Sequence, residues 1–545
     1  MAVDPSDLAR FTMSPTLLDQ QCRQENIEAS LAVDENPARK YPGKRRSYLT
    51  FGILASLYLL PFMRVLLPWS NEGTLASGAV RIIHGQVFSR DFFEVMGPGT
   101  FYCLAAFFKV FGVSFVAMRF YLFLTSIGTA MAMYFLARRL CVRYHTVPCI
   151  ILGAAYYGLQ WPGISHHVDS NCFALLSVVC AVVWHDRRWK ILLFAAGVLA
   201  GITTSIHQPK GALLLVAILV WLLIECRRES KPFSLIGYPL AGYLGVGAFV
   251  LAWFWCQGAL GTLYDANVVW PSLHYEAVNR VPYALGIFHE YWSHWLIPGA
   301  NWSYGMAAVL ITPFLFIAAL PAILIVLCVV SWPKAIPSNF ILYLLCGVAL
   351  WLSEFHRRDI YHLVFGSPLF IIIFVYLLNE IRKKSASYVL QLLTVAATCL
   401  ATLNLFVVAT AHAKETRVGQ VAMYKDNAAL VYLDAHTVPG EEIFAYPYCP
   451  IYYFLSATNN PTRFLTLTYN YNPTSEFQSA IDILEQRKVR FVVWDTNFLA
   501  KAAPVVFSKA ALNPPTGFIM EDYLSTHYRV VKDATGVEIL ERIAK

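Results

Sequence analysis

Carboxylates, imidazoles and cations recur in a few short polar segments, and each set has its own chemistry. Glu72, Asp91 and Glu94 share the first. A carboxylate partly withdrawn from water there can have its pKa raised into the range of a general base, and Glu72 and Asp91 are the candidates for that role. His166, His167 and Asp169 form a second group. Imidazole and carboxylate can ligate zinc or manganese, but adjacent histidines rarely point the same way, which favours helix capping or contact with a substrate. His207 and Lys210 lie in a third segment, and Asp265, His274, Tyr275, Glu276, Arg280, His289 and Glu290 in a fourth. The fifth holds Glu354, His356, Arg357, Arg358 and Asp359, with His362 just beyond. The guanidinium pair Arg357 and Arg358 matches the oxygens of a phosphate, and it can equally pair with Asp359 or Glu354 or meet lipid headgroups.

The elements that position these groups are set by a bilayer. The chain has 545 residues, 57% of them hydrophobic and 14% charged, and a mean hydropathy of +0.51, too apolar for a soluble chain of this length. Its net charge of +8 is carried in short clusters between apolar runs, where basic residues act as topology signals, so nucleic acid is excluded as a partner. The twelve cysteines form no CxxC pair, and most lie inside apolar runs, as small core residues do. Residues 1–47 are expected to be a disordered cytoplasmic tail without the apolar centre of a signal peptide.

About 20 mainly apolar residues are needed for a helix to cross. That rule predicts about eleven spans, near 49–67, 116–137, 147–161, 170–184, 190–206, 211–225, 236–256, 305–330, 339–353, 361–379 and 388–410. The apolar stretch from Gly99 to Gly112 contains Lys109 and is too short to cross. Leaving it out puts Lys44/Arg45/Arg46, Arg138/Arg139/Arg143, Arg187/Arg188/Lys190, Arg227/Arg228/Lys231 and Arg382/Lys383/Lys384 on one side, the cytoplasmic one. The expectation is an integral plasma (inner) membrane protein with its N-terminus cytoplasmic and its polar loops, 68–115 and 257–304 above all, outside. A membrane domain over 48–410 is then followed by an extracytoplasmic α/β domain over 411–545, where Val489 to Trp494 reads as a strand and Ser475 to Arg487 as an amphipathic helix. The aromatics Trp270, Tyr275, Tyr291, Trp292, Trp295, Trp302 and Tyr304 suit an interfacial belt, or a groove for a sugar or polyprenyl chain.

Several short motifs carry a resemblance. Asn71-Glu72-Gly73, Ala79 to Gly85, Arg90-Asp91-Phe92-Phe93, Gly97-Pro98-Gly99, Phe111-Gly112 and Arg119 resemble the first outer loop of GT-C membrane glycosyltransferases. The similarity is to the branch of the protein O-mannosyltransferases, the lipid A aminoarabinose transferase and the rhizobial lipopolysaccharide sugar transferases. It extends to His166-His167-Val168-Asp169, to Arg358-Asp359 with His362, and to Tyr446-Pro447-Tyr448. The resemblance implies an all-α, GT-C-like membrane domain and an inverting enzyme that moves a sugar from a polyprenyl-phosphate donor to an envelope glycan, lipid or protein acceptor. Asn71 stands where relatives carry the catalytic Asp, and an amide is no base, so the role passes to Glu72 or Asp91. A lysine of the aminoarabinose branch is replaced near Met96, which passes phosphate binding to Arg357, Arg358, Lys210 or Arg280, with His167, Asp169 and His362 beside the substrate. No cofactor is required by the resemblance, and a divalent metal stays open. Competing readings are a transporter or lipid flippase, which would place ionisable residues mid-span, and a non-catalytic polyprenyl-lipid scaffold, which Asn71 would suit.

Overall fold

The computed structural model describes residues 44–66, 71–141, 143–156, 163–275, 279–284, 304–331, 337–381, 384–469, 471–498 and 517–544. Residues 1–43, which hold most of the expected tail, lie outside that set, as do Glu276, His289, Glu290, Tyr291, Trp292, Trp295 and Trp302. The chain divides after Leu54. Of the first unit, only the start of helix α1 (Lys44–Leu59) is described, and all that follows concerns the second unit.

That unit is a bundle of apolar helices. After a 3-10 turn, Leu60–Arg64, come α2 (Glu72–Ile83), α3 (Gly99–Phe111), α4 (Phe115–Leu140), α5 (Val147–Tyr156), α6 (His166–Arg187), α7 (Lys190–Ile206), α8 (Gln208–Arg228) and α9 (Gly237–Cys256). A short α10 (Leu260–Tyr264) leads into two π-helical turns, Asp265–Val269 and Pro271–Tyr275. Then follow α11 (Tyr304–Ser331), α12 (Ser338–Ser353), α13 (Ile360–Gly366), α14 (Pro368–Glu380) and α15 (Lys384–Ala409).

Six helical stretches among the described residues are long and apolar enough to cross a membrane: Phe115–Leu140, His166–Arg187, Gln208–Arg228, Phe233–Cys256, Thr312–Ser331 and Lys384–Ala409. The chain is an integral membrane protein. The expected span at 361–379 is instead two helices, α13 and α14, bent by 69°, because Pro368 opens α14 and has no N–H to continue α13 across the joint. The expected span at 49–67 is helical only to Leu59 before it tightens. Helices α5, α7 and α12 are apolar but shorter than the six. Helix α3 stops after 13 residues at Gly112, whose φ of +82° closes it; its rise of about 20 Å falls short of the hydrocarbon thickness.

The two ends of the bundle differ in charge. The C-terminal ends of α4, α6 and α8 meet through Arg139–Asp186 at 2.6 Å and Arg188–Glu229 at 3.1 Å, and Lys231 also pairs with Glu229. At the other end lie the α2–α3 loop, the starts of α6 and α8, the turn after α12, and the C-terminal region. That region begins with a hairpin of β1 (His412–Thr416) and β2 (Gly419–Met423), then α16 (Ala428–His436), β3 (Ile443–Tyr446), α17 (Ile451–Leu455), α18 (Thr474–Arg487), β4 (Phe491–Asp495), α19 (Ile519–His527), β5 (Tyr528–Asp533) and β6 (Val537–Arg542). The sheet runs β3-β4-β6-β5, with only the β3–β4 pair parallel. Phe444, Tyr446, Phe477, Leu484 and Val492 form its core.

The sheet region is docked on α2 and α3. Ser77 Oγ donates to the Pro450 carbonyl at 2.9 Å, Arg81 Nη1 to that of Thr462 at 2.8 Å, and the Phe93 N–H to that of Arg463 at 2.8 Å. Phe108 stacks on Phe454 at 5.9 Å. Gly73 is what lets α2 come this near, since a Cβ there would run into the backbone of Ile451.

Candidate active site

Three backbone devices bring the polar groups together. Ser165 caps α6, its Oγ accepting the His167 N–H at 3.2 Å, which sets His167 in the first turn. Asp359 caps α13, accepting from the N–H groups of Tyr361 and His362 at 3.1 and 2.9 Å. Gly97 lies so close to the Ser205 carbonyl that any side chain would collide with it, which draws the loop carrying Glu94 against the end of α7 and His207.

Arg357, in the turn after α12, is buried. Its Nε donates to Asp359 Oδ2 at 2.8 Å and its Nη1 to Asn279 Oδ1 at 2.6 Å. Asp359 also meets His362 Nδ1 at 2.6 Å. Burial alone would raise its pKa, but His362 and Arg357 prevail and hold the carboxyl well below the usual range. Next to it Glu354, fully buried, lies 2.7 Å from Lys210 Nζ and 3.1 Å from His167 Nδ1. Burial pushes its pKa up as well, and the field of Lys210 and the surrounding imidazoles overcomes it, leaving a value of about 2. Lys210 Nζ also donates to Asn171 Oδ1 at 2.7 Å.

A further buried carboxylate has the opposite character. Glu94 is buried, and its Oε1 accepts the N–H of its neighbour Val95 at 2.9 Å. Burial raises its pKa to about 7, against the backbone N–H groups of Val95 and Met96. Tyr448 and Tyr471 lie within electrostatic range of both groups: each feels the Glu94 charge and, with opposite sign, that of Arg357. Tyr448 donates to Asn71 Oδ1 at 2.8 Å and stacks on Phe498. Tyr471 packs on Trp270 at 4.5 Å, and Tyr275 lies between Tyr471 and His356. The result is a cluster of aromatic rings with a buried carboxylate and a buried guanidinium nearby.

Of the residues expected from sequence, Arg357, Lys210, His167 and His362 come together here. Glu72 and Asp91, expected as the base, do not fit that role. Glu72 is fully buried in a bidentate pair with Arg119, the Oε2–Nη2 contact at 2.9 Å, and accepts the Ile164 N–H at 2.8 Å. Its oxygens are committed to holding α2, α4 and the approach to α6. Asp91 pairs with Arg90 at 2.8 Å and accepts the Val87 N–H at 2.7 Å. Its pKa is lowered, chiefly by the Arg90 hydrogen bond, the reverse of the expected rise. Asp169 lies two residues past His167, about 200° around α6, and there it accepts from Tyr121 at 2.8 Å, away from the imidazoles. Arg280 is exposed, and Arg358 contributes its carbonyl to the Ala284 N–H at 2.7 Å.

Sequence reasoning named Glu94, Glu354, His356 and His207 as loop polar groups without giving them roles, and it missed Asn171, Asn279, Tyr448 and Tyr471 as parts of the site. Tyr448 carried a signal, the Tyr-Pro-Tyr motif. Asn171 and Asn279 carried none, since a lone amide in a loop or helix start has no distinctive spacing. His167, His207, Glu354 and His356 are also able to hold a metal ion, with one ligand atom from each within 4.8 Å of the others.

No family profile matches the sequence, and no curated protein matches it. Among solved structures the chain is similar to ArnT from Cupriavidus metallidurans, in the apo state and bound to undecaprenyl phosphate, at 12% identity and a TM-score of 0.39 over 92% of this chain and 98% of that one. It is also similar to the arabinosyltransferase EmbB from Mycobacterium smegmatis, at 12% identity and a TM-score of 0.36 over 68% of this chain and 42% of that one.

Proposed function

We propose that the chain is an inverting glycosyltransferase that takes a sugar from a polyprenyl-phosphate donor and passes it to a hydroxyl of an envelope glycan, lipid or protein at the outer face of the membrane. The observation that carries this reading is that Tyr448 and Tyr471 lie within electrostatic range of both the Glu94 carboxylate and the Arg357 guanidinium. Transfer of this kind needs a base and a leaving-group cation on opposite sides of a sugar, with a surface for the sugar between them. Glu94 accepts the proton of the acceptor hydroxyl, whose oxygen bonds to the anomeric carbon. The bond from that carbon to the phosphate oxygen breaks, and the electron pair leaves with the lipid phosphate. Arg357, held on two sides by Asp359 and Asn279, meets the departing charge without having to reorganise. Lys210 and the N-terminal ends of α6 and α8 add positive potential at the same end of the bundle.

The roles proposed from sequence for Glu72 and Asp91 thereby pass to Glu94, and Asn71 keeps a part as the partner of Tyr448. A transporter is less well supported. The buried ionisable residues Arg119, Asp169, Lys210 and Glu225 all fall near the ends of their helices, not at mid-span where a transported ion would bind.

Incorporation of label from a polyprenyl-phosphate sugar into membrane acceptors tests the assignment. Glu94→Gln is expected to lower the rate about 10²–10⁴-fold at unchanged expression, and Arg357→Gln to do so with weaker donor binding. Wild-type rates in Glu94→Gln would remove the base. Absence of transfer together with lipid scrambling in proteoliposomes would replace the whole reading by a flippase.

A further inference from the structure

At the site end of the bundle three imidazoles and a carboxylate converge from three separate elements: His167 from the first turn of α6, His207 from the joint of α7 and α8, and Glu354 and His356 from the turn after α12. Three of these, His167, His207 and Glu354, are at most 3% exposed. Glu354 is engaged by Lys210 and His167, while His207 Nδ1 is buried with no hydrogen-bond partner among the described residues. An unsatisfied buried nitrogen costs about 1–3 kcal/mol, which an ion bound among these four side chains would offset.

Its details suit one kind of occupant. His356 Nδ1 lies 2.9 Å from the Ser353 carbonyl, an acceptor only, so Nδ1 carries the proton and Nε2 keeps its lone pair. Fixing the far nitrogen on a backbone carbonyl is how a ligating imidazole is oriented. Lys210 holds Oε1 of Glu354 and leaves Oε2, which is 3.1 Å from His167 Nδ1. Ligand atoms around a tetrahedral zinc are about 3.3 Å apart, so that pair already has the spacing, and side-chain rotation can close the remainder from 4.8 Å or less. Imidazole nitrogens select a borderline transition cation over magnesium or calcium, which prefer all-oxygen shells.

We propose that His167, His207, Glu354 and His356 bind a divalent transition cation of the zinc class, which ties the starts of α6 and α8 to the turn that carries Arg357. The assignment does not depend on the transferase reading, because binding is measured without donor or acceptor.

The full chain, purified in detergent without a histidine tag, would be stripped with a chelator, desalted, and offered Zn²⁺ or Co²⁺ alone. About one zinc per chain should be retained through desalting, and Co²⁺ should give the visible absorption of a four- or five-coordinate site. Both signals should be lost in His207→Gln and in His356→Gln, while the metal-free variants melt with the metal-free wild type. Zinc retained in both variants, or none in the wild type, overturns the proposal. Loss in His185→Gln instead would assign the ion to the His185, Glu225 and Glu229 cluster at the other end of the bundle and would overturn it too. X-ray absorption of the zinc-loaded wild type needs no variant: three imidazoles in the shell are expected, and a shell of oxygen or sulfur alone excludes the site.

Discussion

Glu94 and Glu354 are both buried carboxylates, and their neighbours send them in opposite directions. Lys210 and four imidazoles surround Glu354 and keep it ionised, whereas Glu94 has aromatic neighbours and two backbone N–H groups, too little to offset burial. A base with a pKa of about 7 is half ionised at neutral pH, so kcat/KM should climb about tenfold per unit below pH 7 and level off above it. The same shift fixes the sign of a stability effect. The folded state binds the Glu94 proton more tightly than the unfolded chain, whose carboxyl titrates near 4.5. Stability from this group is therefore full below pH 4.5 and is lost as pH rises through 7. Glu94→Gln removes the titration, so it should match the wild type near pH 4 and be the more stable protein at pH 8, by up to about 3 kcal/mol. Thermal melts across that range check this, and a destabilised Glu94→Gln at pH 8 would mean that the carboxylate is paired and is not the base.

At the scale of elements, the site depends on how closely the α2–α3 segment approaches its neighbours. Gly73 against Ile451 and Gly97 against Ser205 set those two approaches, and Tyr448 reaches Asn71 only if both hold. Gly73→Ala should cost about 1–3 kcal/mol by overpacking and lower transfer by parting Tyr448 from Asn71. Ser77→Ala, which gives up a single hydrogen bond to Pro450, should cost no more than about 1.5 kcal/mol. Equal Tm and activity in Gly73→Ala and wild type would show that the two surfaces separate freely. Helices were the most legible part of the sequence, because apolar length fixes them: Phe115–Leu140 contains the run expected at 116–137, and Lys384–Ala409 all but the last residue of the run expected at 388–410. The strand Phe491–Asp495 and helix Thr474–Arg487 likewise follow their periodicity. The bend at Pro368 was hidden, since hydropathy does not register a missing N–H. Roles within the site were less legible than its membership. Glu72, Asp91 and Glu94 are all carboxylates, and only the tertiary partners Arg119, Arg90 and the tyrosines separate an ion-paired strut, a turn staple and an acid with no ion pair among the described residues.

For the whole molecule, function depends on which end of the bundle faces which compartment. Arg139, Arg188 and Lys231 gather at one end through their contacts with Asp186 and Glu229, and Glu94, Arg357 and the four-stranded sheet lie at the other. Basic residues are retained on the cytoplasmic side during insertion, so the sheet and the site should lie outside, where a lipid-linked sugar in the outer leaflet could reach them. Arg529 on β5 gives a direct probe, with 69% of its side chain exposed. A chain carrying Arg529→Cys, with the exposed Cys256 and Cys399 replaced by alanine, should react with a membrane-impermeant maleimide added to intact spheroplasts. Cysteine placed at Arg188, at the basic end, should react only after the membrane is permeabilised. The reverse pattern would put the sheet in the cytoplasm, and an outer-leaflet transferase could not then operate at this site.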